Sequence, residues 1–253
     1  MSNALTIAGK EIRTSVVTPM AYAVTAGFLV MCGFFFFSLL KQFNPLVQQA
    51  ALTKDSTPSL NDWVIYPYYQ TLEIVLVFLI PILTMRAIAE ERRSGTFELL
   101  ATSPLKVGDI VLGKFIGSFA VIGTMLLLSF VFPASLLIFA DPEVPPVLVG
   151  FLGLILFALA FTSIGIAVSA CTQNQTISAV LSAVVSLIFY VCDAPADQLG
   201  PVLGGVLKYL APSAHTLLMG RGVITGVDIV YFLSVTVIGL FIANRVLDAQ
   251  RWR

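Results

Sequence analysis

Two side chains in otherwise apolar sequence could do chemistry: Glu73 and His215. Glu73 is the sole charge between Trp63 and Met85. A carboxylate in hydrocarbon costs on the order of 3 kcal/mol or more, so such residues pair with a neighbour or serve a pathway. Two readings therefore stand for Glu73. One is a carboxyl near the outer end, bonded to Tyr69 or Gln70, and the other is a gate or substrate contact. His215 is the only histidine and sits in Pro212-Ser213-Ala214-His215-Thr216. One histidine cannot assemble a metal centre, and a hydrolase needs a nucleophile within hydrogen-bond reach of its base. No serine lies in a recognisable nucleophile elbow. The expected role of His215 is a hydrogen bond that stabilises a loop. A place in a pathway or gate is the functional alternative.

Other sharp patterns dissolve on inspection. Gly108-x-x-x-x-Gly113-Lys114-Phe115 nearly spells a phosphate-binding loop. That loop needs a preceding buried strand and a Ser or Thr after the lysine to hold magnesium; here Phe115 follows and the glycines lead into an apolar run. The chain is expected to bind no nucleotide, cofactor or metal itself and to carry no catalytic residue. Cys32, Cys171 and Cys192 lie in or beside apolar runs without metal-ligand spacing, and read as small packing residues.

The elements that must position these residues follow from composition. Of 253 residues, 58% are hydrophobic and only 11% charged, and the mean hydropathy is +0.95. A soluble domain covers its surface with roughly a quarter charged residues, so the solvent of this chain is lipid. The net charge of zero argues against a nucleic-acid partner. The first apolar run is too long for a cleaved signal peptide.

Charge-free stretches locate the spans, each of which takes about 20 helical residues. They fall near 16–40, 63–85, 115–140, 147–170, 176–192 and 229–244. Between Val144 and Cys192 there is no charge at all, so this stretch must fold back on itself, and Thr172-Gln173-Asn174-Gln175-Thr176 is the plausible turn. The bias of Lys and Arg sets orientation. Lys10, Arg13, Arg86, Arg92, Arg93, Lys106, Lys114, Arg245, Arg251 and Arg253 mark the cytoplasmic side. Lys41, Lys54, Lys208 and Arg221 lie in longer loops outside. The fold expected is an all-α integral membrane domain over residues 1–253, with six spans and both termini in the cytoplasm.

Before the first span, Leu5, Ala8, Ile12 and Val16 share a helical face, which suits a helix lying in the membrane interface. The outer stretch from Asp193 to Val227 is apolar but broken by Pro201, Gly204, Gly205 and Pro212, and reads as re-entrant or interfacial half-helices. The cytoplasmic stretch from Arg86 to Lys114 reads as a helix-turn-helix. The second span continues through Glu90, Glu91, Arg92 and Arg93, and Gly95 supplies a left-handed stop. Thr96 caps a new short helix with Glu98 in its first turn. That helix presents Phe97, Leu99 and Leu100 within a rim of charge, the composition of a docking surface. The alternative is a solvated helix end, with Glu–Arg pairs giving a few tenths of a kcal/mol. The run Phe34 to Phe37 covers every helical face and suits lipid contact and dimer packing.

The segment MRAIAEERRSGTFELLATSPLKVGDIVLGK resembles the signature of ABC-2 type transporter permeases, especially gliding-motility-associated and related export systems. KEIRTSVVTPMAYAV is similar to that family's N-terminal elbow, and APSAHTLLMGRGVITGVDIVYFLSVTVIGLFIANRVLDAQRWR to its last loop and helix. The resemblance implies a six-helix half-transporter in a bacterial cytoplasmic membrane, paired with a second permease, identical or not. It further implies a separate cytoplasmic ATPase that binds the ATP and magnesium. Glu90, Glu91, Arg92, Arg93, Gly95, Thr96, Phe97 and Glu98 then correspond to the coupling region, with the coupling helix near Gly95 to Ser103. The last outer loop corresponds to short re-entrant helices at an external gate. Two rivals remain open: a proton-coupled secondary transporter using Glu73, and an intramembrane hydrolase using His215.

Overall fold

The computed structural model of the chain describes residues 3–53, 58–93, 106–140 and 142–251. Every regular element among them is helical. In order these are α1 (Asn3–Val17), α2 (Pro19–Thr53), α3 (Tyr66–Thr84), α4 (Ala89–Arg93), α5 (Val107–Ser129), α6 (Val131–Phe139), α7 (Val144–Cys171), α8 (Gln175–Tyr190), α9 (Gly200–Leu210), α10 (Pro212–Gly220) and α11 (Gly226–Arg251). A π-helical turn, Asn61–Ile65, leads into α3.

Among the described residues, five helical stretches are long and apolar enough to cross a bilayer: Pro19–Leu52, Asn61–Thr84, Val107–Phe139, Val144–Cys171 and Gly226–Gln250. The expected sixth, α8, has 16 residues, about 24 Å of helix against a hydrocarbon core of roughly 30 Å. The break before it falls where the polar string predicts: Asn174 caps α8 by accepting the Thr176 amide at 2.9 Å.

Boundaries elsewhere differ from the charge-based reading. α2 runs on past the apolar stretch through Lys41, Gln42 and Pro45 to Thr53, because a helix satisfies its own backbone in water as well as in lipid. The third apolar run is two helices that meet at Phe130, and it begins at Val107, ahead of the expected start. The last helix extends to Arg251, with the Arg245 guanidinium 5.0 Å from the Phe241 ring centre.

α7 is the axis of the bundle, packing against α3, α5, α8, α10 and α11. Hydrophobic transfer does not drive helices together inside lipid, so small residues that permit close approach decide such contacts. A Cβ at Gly153 would stand 3.2 Å from Met219 Cβ, and one at Gly239 in α11 would stand 2.5 Å from Ser163 Oγ. One at Gly165 would strike the Thr84 hydroxyl. α8 buries Ser178, Ser182 and Ser186 on its inner face, while Val180, Val184 and Ile188 face outward. In α2, Phe36 is buried edge-on against Tyr68 at 5.5 Å, whereas Phe34 and Phe37 are exposed, as lipid contact requires.

α1 packs mainly on α5, through a face that shares Ala8 with the marked apolar stripe but is centred on Ala4, Ile7, Ala8 and Glu11. Ala4 and Ala8 are buried and Leu5 is 53% exposed. The reason lies in α5, where Gly113 and Gly117 sit one turn apart. A Cβ at Gly113 would meet Ile7 Cβ at 2.7 Å and the Ala4 carbonyl at 2.8 Å; one at Gly117 would meet Glu11 Cβ at 2.5 Å. Smallness, not hydrophobicity, selects the buried face.

Candidate functional site

The sequence-marked residues collect at the two ends of the bundle. One end gathers α1, α4, the start of α5 and the far ends of α7 and α11, where Ile88, Val107, Val111, Ile166, Ala170 and Leu247 form a small core of their own. α3 does not simply run on into α4. After Thr84 the chain turns, and the Ser169 hydroxyl of α7 holds the turn by donating to the Met85 carbonyl at 3.2 Å. The same oxygen accepts the amides of Ile88 and Ala89, each at 3.1 Å. Arg92 then donates from Nη1 to the carbonyls of Ala170 at 2.9 Å and Thr172 at 3.3 Å. These are last-turn and exit carbonyls of α7, the negative end of its dipole, where a guanidinium is most favourable. Arg92 is thus a cap on the axial helix. Glu90 and Arg93 are exposed. Gly95, Thr96, Phe97 and Glu98 lie outside the described residues.

At the same end, Gly113 and Lys114 of the near-phosphate-loop string sit inside helix α5 and serve packing. Lys114 is 2% exposed and places Nζ 2.9 Å from Glu11 Oε1 in α1.

The opposite end holds Glu73 and His215. Glu73 is 3% exposed. Its expected partners are engaged elsewhere: Tyr69 donates to the Val147 carbonyl at 2.7 Å, and Gln70 Nε2 donates to the Tyr66 hydroxyl at 2.5 Å. Thr216 of α10 lies beside the Glu73 carboxyl, and its hydroxyl donates back to the Pro212 and Ser213 carbonyls at 3.4 and 3.3 Å. The neighbouring His215 is 5% exposed. It places Nδ1 2.7 Å from Asp228 Oδ1 in α11 and Nε2 2.9 Å from the Tyr209 carbonyl, and its ring stacks on Tyr231 with centroids 3.9 Å apart. Asp228 is set by its own helix start, where Thr225 Oγ1 accepts the Asp228 amide at 3.3 Å and donates to Oδ2 at 2.5 Å. Both ring nitrogens of His215 are thus engaged, one by a side chain of α11 and one by a backbone carbonyl, and neither is bonded to a serine hydroxyl. Ser213, the nearest serine in sequence, donates to Asp193 at 3.0 Å instead.

α10 is therefore bonded to α11 through His215, and the next residue, Thr216, faces Glu73 of α3. α9 and α10 pack on one another, and Lys208 of α9 pairs with Asp197 at 2.7 Å on the surface. The hydrogen bond and charge of Lys208 hold the Asp197 carboxyl below its ordinary range. The turn into α11 uses Gly222 at φ +85, where a Cβ would stand 2.9 Å from the Pro146 nitrogen. The three cysteines are free. Cys32 is buried as expected of a packing residue, while Cys171 is exposed at the end of α7 and Cys192 is half-buried. Burial raises the Cys192 thiol above its usual pKa.

Sequence reasoning missed Ser169, Asp228 and Thr216. Asp228 carried a visible signal, since Thr225-x-x-Asp228 is a helix-start pattern; Ser169 and Thr216 had none.

Apolar helices of this length, packed around a central helix through small residues, define a multi-pass membrane protein. The chain matches the family described as ABC-2 family transporter protein over residues 5–213 and belongs to it. It is a transmembrane permease of an ABC transporter. No curated protein matches the chain.

Proposed function

We propose that the chain is one half of an ABC-2 exporter in a bacterial cytoplasmic membrane, moving substrate with energy from ATP hydrolysed by a separate ATPase. The family match across residues 5–213 is the observation that supports this most. The whole chain acts as one transmembrane domain. α8 is its short sixth span, accommodated by local thinning of the bilayer and by flanking polar residues. Both termini face the cytoplasm with the basic end of the bundle. A second permease, identical or related, completes the pathway.

In this reading residues 90–98 contact the ATPase. Phe97 and its neighbours dock, and Glu90 and Arg93 flank the docking segment. Arg92 and Ser169 pass its displacement to α7, because they tie the polypeptide ahead of it to the axial helix. The ATP and magnesium belong to the partner. α1 is the interfacial elbow, locked to α5. At the other end α9 and α10 form the re-entrant gate, pinned by His215 to α11 and packed through Thr216 beside Glu73 of α3. A tilt of α3 or α11 relative to α7 then loads both joints together. Differential contact of residues 90–98 with the two ATPase states supplies the drive.

The test is purification from mild detergent with identification of bound chains, followed by reconstitution with ATP and with a proton gradient in turn. ATP-dependent export with a copurified ATPase is the expected result. Export sustained by a proton gradient alone would replace this reading with a secondary transporter working through Glu73.

A further inference from the structure

A groove of about 370 Å³ opens between α1 and the adjoining ends of α2, α3 and α5. Its lining changes character along its length. One part presents Lys10, Arg86, Ser15 and Ser118; the other presents Met20, Val24, Ile82 and Val121. The third base lining it, Lys114, is neutralised by Glu11. The side chains of Lys10 and Arg86 have no ion pair or hydrogen bond among the described residues, and neither do the hydroxyls of Ser15 and Ser118. Glu90 is the remaining acid on the rim, so two unspent cations face one.

We propose that this groove holds an anionic membrane phospholipid, its phosphate on Lys10 and Arg86 and an acyl chain along Met20, Val24, Ile82 and Val121. The polarity gradient selects this occupant. A free phosphate would leave the apolar wall wet, and an uncharged lipid would leave both cations unmatched. Location agrees, since α1 meets the spans where the apolar helices end, at headgroup depth. The bound lipid would wedge α1 against α2, two elements joined only by the non-helical Thr18. The proposal rests on membrane insertion alone and stands whether or not an ATPase binds.

The full chain in bilayer discs of equimolar phosphatidylglycerol and phosphatidylcholine with matched acyl chains, extracted gently and weighed by native mass spectrometry, tests it. Wild type should retain phosphatidylglycerol about fivefold over phosphatidylcholine or better, the preference one interfacial cation supplies. Lys10→Gln with Arg86→Gln should return the ratio to that of the bilayer, while Lys208→Gln, outside the groove, keeps the wild-type ratio. Ala21→Trp, which fills the groove, should lose both lipids. Retention at the bilayer ratio by wild type, or an unchanged preference in the double variant, would overturn the proposal. Displacement by soluble glycerol phosphate would overturn it in favour of a free-phosphate site. Loss of the ATPase from the preparation would refute the exporter reading and leave the lipid ratio untouched.

Discussion

Arg92 places Nη1 2.9 Å from the carbonyl oxygen of Ala170, so the segment after α3 is capped onto the last turn of the helix around which the bundle is built. A guanidinium serving two carbonyls at a helix C-terminus is a mechanical joint as well as a stabilising one. Hydrogen bonds to a charged donor are worth about 1.5–3 kcal/mol. Arg92→Ala should therefore lower thermal stability in detergent by about that amount and weaken the coupling of ATP hydrolysis to transport. Arg92→Lys should recover part of the stability and less of the coupling, because an ammonium lacks the rigid plane that aims Nη1 at both carbonyls. Paired melting and ATPase-stimulation measurements would check this.

The seam between α1 and α5 makes a second prediction. Gly117→Leu forces a side chain into the space that Glu11 fills, and overpacking of this kind costs about 1–3 kcal/mol. Protease should then cut near Thr18 in the variant and spare the wild type, with the spans still inserted. Gly123→Ala, which meets open space, is the matched control.

His215 separates a structural from a catalytic role. Leaving a buried hydrogen-bond partner unsatisfied costs about 1–3 kcal/mol, so His215→Ala, which strips partners from Asp228 and the Tyr209 carbonyl, should release the α9–α10 hairpin from α11. Increased hydrogen exchange over residues 200–220 would report this, and Asp228→Asn should reproduce much of it. A hydrolase would instead lose turnover with the hairpin unchanged.

The surface pair Lys208–Asp197 fixes a pH expectation. Lys208 lowers the Asp197 carboxyl, so the contribution of this carboxylate is complete above its unfolded range and is lost as pH falls through the lowered value. Lys208 is raised by the same contact, and its contribution is present below its unfolded range and fades only as pH rises past the raised value. Between about pH 5 and pH 9 the pair stays fully charged. Exchange of α9 amides should be flat across that window once corrected for intrinsic rates, and 0.5 M salt, where the screening length falls to about 4 Å, should loosen them.

How much of this was legible in the sequence depends on whether the signal was local. The α7–α8 turn was, because a polar string in a charge-free stretch admits few other places for a reversal. The burial of Phe36 was not legible, because the run Phe34 to Phe37 covers every face of α2 and only the position of Tyr68 singles out which ring turns inward. The packing of α1 on α5 was not legible, since Gly113 and Gly117, far along the chain, decide that contact while the local pattern marks only an apolar face. The extension of α2 through Lys41 was hidden because a change of polarity marks the membrane boundary and not the helix end. Glu73 stands out in the sequence as anomalous, but its neighbour Thr216 lies on another helix, and the local candidates Tyr69 and Gln70 are bonded elsewhere. Cys171 was read as packed and is exposed, because it closes α7 where the bundle meets solvent.

The central claim is that residues 90–98 transmit the work of a separate ATPase to this chain. Quantitative copurification of the ATPase with full-length wild type, Phe97→Asp and Gly95→Pro, alongside a check of membrane insertion, tests it most directly. The account predicts that both variants insert normally and lose the ATPase and ATP-driven transport together. Undiminished ATPase recovery with either inserted variant would contradict it.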